Sequence, residues 1–250
     1  MSEINVRAGF WRRWFSTLLD IVLVWLPFQM LVAVLFASTS GHVQISSGLV
    51  FKTCAPVQHL PADLAPPPPE GSNFARECRF SLFGAETARR LLVGRVVKEG
   101  GVTKSFSQSY SLDRDGGLVD PVSLDWPVAA IFLVYLVALK SRSGQSLGDR
   151  ALRIALLDTS PGAGLAVPAR KILMRYLAMA TGLIPVILTT AYGIARYGSL
   201  AKAAAADEAL ILTVGEGLLV LIWAVVNIVL IVTRRDPIYD RLAGTTVERI

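Results

Sequence analysis

The chain has 250 residues, 53% of them hydrophobic and only 18% charged, an imbalance that a soluble domain of this size could not hide in one core. The net charge of +6 and the pI near 9.6 invite a nucleic-acid reading. The basic residues, however, fall in short patches beside apolar stretches, which is the signature of anionic-lipid contact, so the expected partner is a lipid bilayer and not nucleic acid.

Four apolar stretches reach or approach the roughly 20 residues that a membrane span needs: Ile21 to Ser40, Trp126 to Leu139, Tyr176 to Ala195 and Gly217 to Thr233. The first follows Arg7, Arg12 and Arg13. It is too long for a cleaved signal peptide and contains Pro27 and Gln29, so it reads as a retained helix. The second reaches span length only if Pro121 to Asp125 joins it, which would place Asp125 among headgroups with Trp126 as an interface anchor. Lysines and arginines crowd the N-terminus, the connection from Lys140 to Arg175 and the tail from Arg234. By the positive-inside rule these three segments face the cytoplasm, giving an N-in, C-in membrane protein.

Between the first two spans the composition changes. From Phe106 to Leu112 apolar or long side chains alternate with serines, the period of a half-buried strand, and Phe80, Leu82 and the run from Leu91 to Val97 read as its partners. Glu99-Gly100-Gly101 and Asp115-Gly116-Gly117 read as turns, and Pro66 to Pro69 as an extended spacer that cannot join a sheet. Cys54 and Cys78, the only cysteines, both fall here. In an oxidising compartment they would form a disulfide, closing a loop of about 25 residues for on the order of 3.5 kcal/mol. Two buried free thiols, or a metal site shared with His42 or His59, are the alternatives.

Further along, Ser146 with Asp149 resembles a capping box, and Asp236, Pro237 and Gly244 read as N-cap, first-turn proline and C-cap of a second short helix. Both helices are expected to lie at the membrane surface. One acid interrupts the fourth apolar run: Glu216, about 10 Å from its outer end and suited to a proton-coupled step, or else to a bond with a neighbouring helix.

Three separated pieces resemble the RDD family of membrane proteins: Ala8-Gly9-Phe10-Trp11-Arg12-Arg13 running to Asp20, then Gly144-Gln145-Ser146-Leu147-Gly148-Asp149-Arg150, and Tyr239-Asp240-Arg241-Leu242-Ala243-Gly244-Thr245. The resemblance implies that Arg13, Asp20 and Asp240 are the family's named trio, with Gly144, Gln145, Gly148, Arg150, Arg241 and Gly244 as its flanking motif residues. Asp149 departs from the pattern, which usually has a basic residue there, as does Tyr239, where histidine is frequent. Arg13 and Asp20 lie about 10 Å apart along one helix face, so Asp20 is expected to turn inward toward an arginine, either Arg13 or one of the middle loop. The last two pieces also resemble each other, Leu147 aligning with Ile238, and Arg13-Trp14 resembles Arg175-Tyr176. A duplicated two-helix unit is the implication, with Gly182 in the place of Asp20.

The expected fold is an all-α polytopic bundle of four transmembrane helices with a small β-rich extracytoplasmic insertion between helices 1 and 2. Its segments are 1–40 (N-terminus and first span), 41–122 (insertion), 123–140 (second span), 141–171 (cytoplasmic loop), 172–195 (third span), 196–208 (outer loop), 209–233 (fourth span) and 234–250 (tail). No nucleophile, phosphate loop or metal-ligand spacing stands out, so neither an enzyme nor a cofactor is expected. Two functions remain open. One is ion or proton-coupled transport through Asp20 and Glu216, for which a narrow four-helix bundle would need a homo-oligomer. The other is a membrane-anchored binding or assembly module whose insertion meets an envelope ligand or protein.

Overall fold

A computed structural model describes residues 6–61, 64–99, 102–164, 166–198 and 208–250. The hairpin turn expected at Gly100-Gly101 and most of the 196–208 loop lie outside them. Among the described residues, four helices are long and apolar enough to cross a membrane: Phe10–Ser38, Asp125–Ser143, Ala169–Tyr197 and Ile211–Val232. The first of these is α1 (Phe10–Ser38) and the second α2 (Asp125–Ser143), followed by a short α3 (Leu147–Ala151). The third is α4 (Ala169–Ala180) joined by a 3-10 turn at Thr181–Leu183 to α5 (Ile184–Tyr197); Gly182 and Pro185 account for the break. The fourth belongs to α6 (Ala209–Val232), after which α7 (Ile238–Ala243) follows. Their apolar side chains are largely uncovered, for example Leu188 and Ile222, as lipid-facing surfaces are.

The expectation of an all-α bundle is corrected: the chain is mixed α/β, 49% helical and 24% strand, and strands occur well beyond the insertion. The segments after α2 and α6 are not helical throughout. Each forms a short helix and then a strand, β7 (Ile154–Asp158) and β8 (Thr245–Arg249), and the two strands pair antiparallel, satisfying each other's backbone groups. Continuing the alignment of Leu147 with Ile238 along both chains matches Leu156 with Val247, and these two residues sit directly opposite each other in the ladder. Ile154 likewise matches Thr245 and Asp158 matches Arg249, and the register pairs Ile154 with Arg249 and Asp158 with Thr245. The ladder therefore has a local two-fold centred on Leu156 and Val247.

The chain divides into two compact units, 1–21 with 132–250, and 22–131. The second unit holds a four-stranded antiparallel sheet in the order β2 (Phe51–Pro56), β3 (Phe74–Leu82), β4 (Ala85–Glu99), β5 (Val102–Leu112). A two-residue parallel pair, β1 (Val43–Gln44) with β6 (Val122–Ser123), lies beside the start of α2. The alternation read in β5 places Tyr110 and Leu112 in the core with Leu91 and Val93, while Ser105, Ser107 and Ser109 face out. Pro66 to Pro69 stays out of the sheet, and the Pro66 carbonyl accepts a hydrogen bond from Tyr110 Oη at 2.6 Å. Cys54 and Cys78 are directly opposite on β2 and β3 and form a disulfide, which removes the free-thiol and metal alternatives. The Asp125 carboxylate accepts from Ser46 and Ser47 backbone N–H at 3.0 and 2.8 Å and from the Ser46 and Ser123 hydroxyls. Gln29, polar inside an apolar helix, is fully buried and satisfied by the Ser47 carbonyl and the Leu49 N–H.

Candidate functional site

The candidate site is a buried polar cluster in the first unit, where the N-terminal turns of α1 meet α3, α4 and α7. It is built around three carboxylates, each satisfied in a different way. Asp240, in the first turn of α7, is completely buried, with Arg13 Nη1 2.9 Å from Oδ2 and Arg175 Nε 2.8 Å from Oδ1. Arg13 also donates to the Ala8 and Val247 carbonyls, so it ties α1 to β8 as well as to α7. The Arg175 Nε–H is close enough for strong attraction but is not aligned as a hydrogen bond; its guanidinium lies 5.5 Å from the Tyr239 ring centroid, a cation–π distance. Burial, the largest influence, pushes the Tyr239 hydroxyl above its ordinary range, although the positive charge of Arg175 opposes it.

Asp20 departs from expectation. Among the described residues, no arginine makes a hydrogen bond or ion pair with it. Its carboxylate accepts from three neutral donors: Tyr135 Oη at 2.7 Å, Gly148 N–H at 2.8 Å and the Ser146 hydroxyl at 2.5 Å. The geometry has a local cause. Gly148 lets α3 approach α1 so closely that a Cβ there would stand 2.1 Å from the Ser16 carbonyl oxygen, and the close approach brings its N–H to Asp20.

Asp149 forms the capping box of α3, its Oδ2 accepting from Ser146 N–H at 3.0 Å while its own N–H donates to Ser146 Oγ. The Ser146 hydroxyl thus gives to Asp20 and receives from Asp149, linking the two acids. Lys140 Nζ lies 2.6 Å from Asp149, and Ser16 donates to its other oxygen. Burial works to raise the Asp149 carboxyl, but Lys140 and these hydrogen bonds outweigh it and hold the group below the usual carboxylate range.

The remaining motif residues are scaffolding. Gly144 takes a positive φ of 68° at the end of α2, and its carbonyl accepts from Leu156 N–H. Gln145 donates to the Ile154 carbonyl, Arg150 to Ser143 and Arg241 to the Asp236 carbonyl. Gly244 ends α7 in the left-handed conformation, but Asp236 is not the N-cap expected: Pro237 holds that position. Asn227 of α6 supplies the acceptor for Ile238 N–H at 2.9 Å, leaving Asp236 to bind Arg7 and Thr246.

No known family model, curated protein or solved structure matches the chain.

Glu216 stands apart from this cluster. It accepts a hydrogen bond from Thr189 of α5, and it precedes Asn227, which sits at the level of α7, by three turns of α6, about 16 Å. The three carboxylates Asp20, Glu216 and Asp240 therefore do not converge. Among the residues that sequence reasoning left out, Arg175 had a signal, its resemblance to Arg13. Lys140 ends an apolar run, and Tyr135 is a lone hydroxyl five residues before it; neither carries a pattern until α3 is folded against them.

Proposed function

We propose that the chain is an RDD-family multi-pass protein of a bacterial inner membrane, with both termini cytoplasmic, whose helical part is a fixed platform for a binding or assembly role exerted by the 41–122 segment on the opposite side. The observation that carries this reading is that each carboxylate of the polar cluster is held by several fixed partners. Such a network ties helix ends together and offers no acid ready to exchange its partner. The ion pair between Arg13 and Asp240, two members of the trio, supports the family resemblance. The binding surface best suited to a partner is β2, an edge strand whose six residues are all exposed and which the disulfide fixes to β3.

The test is a photo-crosslinking amino acid placed in turn at Lys52, Thr53 and Ala55 in intact cells, with Arg142 as control. A discrete adduct from the strand but not from Arg142 is expected; no adduct from any strand position sinks the proposal. A second reading, proton- or ion-coupled transport, is favoured by the Glu216–Thr189 bond between two apolar helices. Purified protein in liposomes showing proton or sodium flux that Glu216→Gln abolishes would replace the platform reading with it.

A further inference from the structure

Beside the polar cluster, at the start of α1 and the end of α6, lies a groove of about 540 Å³ lined by Gly9, Phe10, Trp11, Arg12, Ile228, Val232, Arg234 and Arg249. Its two sides differ in chemistry. Phe10, Trp11, Ile228 and Val232 form an apolar wall, the last two one turn apart on the same face of α6. Three guanidiniums form the rim. Arg12 donates to the Leu152 carbonyl and Arg234 to the Arg7 carbonyl, and among the described residues none of the three has a carboxylate partner. The adjoining aromatic group of Trp11, Trp14 and Phe15 is exposed and mutually packed, with ring centroids 4.9 to 6.2 Å apart. Exposed tryptophans at the end of an apolar helix mark the level of the headgroups.

We infer that this groove is a binding site for one anionic glycerophospholipid, its phosphate held by Arg12, Arg234 and Arg249 and its first acyl carbons against Ile228 and Val232. Charge decides the occupant. A zwitterionic lipid would bring an ammonium group to a rim of three cations, whereas an anionic headgroup replaces the missing carboxylates, and guanidinium forks suit phosphate oxygens. The inference rests on the helices being in a membrane and is independent of whether the protein transports or binds.

The full chain in neutral detergent, titrated with phosphatidylglycerol or phosphatidylcholine of identical acyl chains and followed by native mass spectrometry, provides the test. One retained phosphatidylglycerol per chain is expected, in clear preference to phosphatidylcholine. Arg249 is exposed and makes no side-chain hydrogen bond among the described residues, so Arg249→Gln leaves the fold intact and should weaken that retention about fivefold. Arg12→Gln, Arg234→Gln and Arg249→Gln together should weaken it roughly a hundredfold, while Arg142→Gln, away from the groove, should change nothing. Equal retention of the two lipids, or an undiminished preference in Arg249→Gln and in the triple variant, overturns the site.

Discussion

Replacing Asp240 with Asn removes the anion that lies between two guanidiniums while keeping the side chain's size. The site is buried: Asp240 is fully covered, and the side chains of Arg13 and Arg175 are 10% and 9% exposed. At an effective dielectric of about 20, a charge pair separated by roughly 4 Å attracts by about 4 kcal/mol. Removing one partner of a buried pair costs a net of about 3–5 kcal/mol, and here two cations are stranded at once, so Asp240→Asn belongs at the upper end of that range. Arg13→Met leaves Asp240 with Arg175 and should cost less. The triple replacement of Asp240, Arg13 and Arg175 by apolar residues should recover part of the loss, because no charge is then left unpaired. Denaturant titration in mixed micelles, followed by tryptophan fluorescence, gives the free energies and the coupling between sites. A cost for Asp240→Asn below about 1 kcal/mol, the scale of a surface pair, would refute the description of this cluster as a buried staple.

Other expectations follow from the same geometry. Asp20→Asn presents an amide N–H₂ where three donors converge, and losing hydrogen bonds to a charged acceptor should cost about 1.5–3 kcal/mol each for those that cannot rearrange; an unchanged unfolding midpoint would contradict the three-donor arrangement. Gly148→Ala must push the Ser16 carbonyl away, at about 1–3 kcal/mol or more, while Gly164→Ala, with open space around it, serves as the neutral comparison in the same titration. The Asp149 carboxyl is depressed in the folded state, so its stabilisation is full above the unfolded value near 3.9 and is lost as pH falls through the lower folded value. Wild type should therefore lose stability below about pH 4 more steeply than Asp149→Asn, and parallel acid limbs would count against it. Cys54→Ser with Cys78→Ser should lower the stability of the sheet-bearing unit by about 3 kcal/mol, read as earlier protease cleavage of the 41–122 segment; identical cleavage would show that the disulfide constrains nothing.

The apolar helices were legible because hydrophobicity over some twenty residues is a property of composition. Their ends were not. Aromatic and basic residues such as Trp11, Arg12 and Arg13 interrupt the apolar run at a helix that begins at Phe10, and α4 opens with Arg170 and Lys171. The β5 alternation was readable for the same reason as the spans, since side-chain period is written directly in the residues. β7 and β8 escaped because Ile154–Asp158 and Thr245–Arg249 are too short for periodicity to distinguish a strand from a surface helix, and only their pairing makes them strands. In the polar cluster, Arg13 and Asp240 could be named but not joined: they are brought together by the fold of α7, and one of the three donors to Asp20 is a backbone N–H, which no sequence pattern displays.

The position of α7 and β8 late in the chain gives this protein an order of assembly. Arg13 and Arg175 are translated before Asp240, and β7 before β8, so a nascent helical unit lacks the anion between its two guanidiniums and the partner of β7 until α7 and β8 are made. The segment from α7 through β8 supplies both the anion that neutralises these charges and the strand that covers this edge. A product interrupted before Tyr239 keeps the four apolar helices yet lacks both the anion for these arginines and the partner for β7.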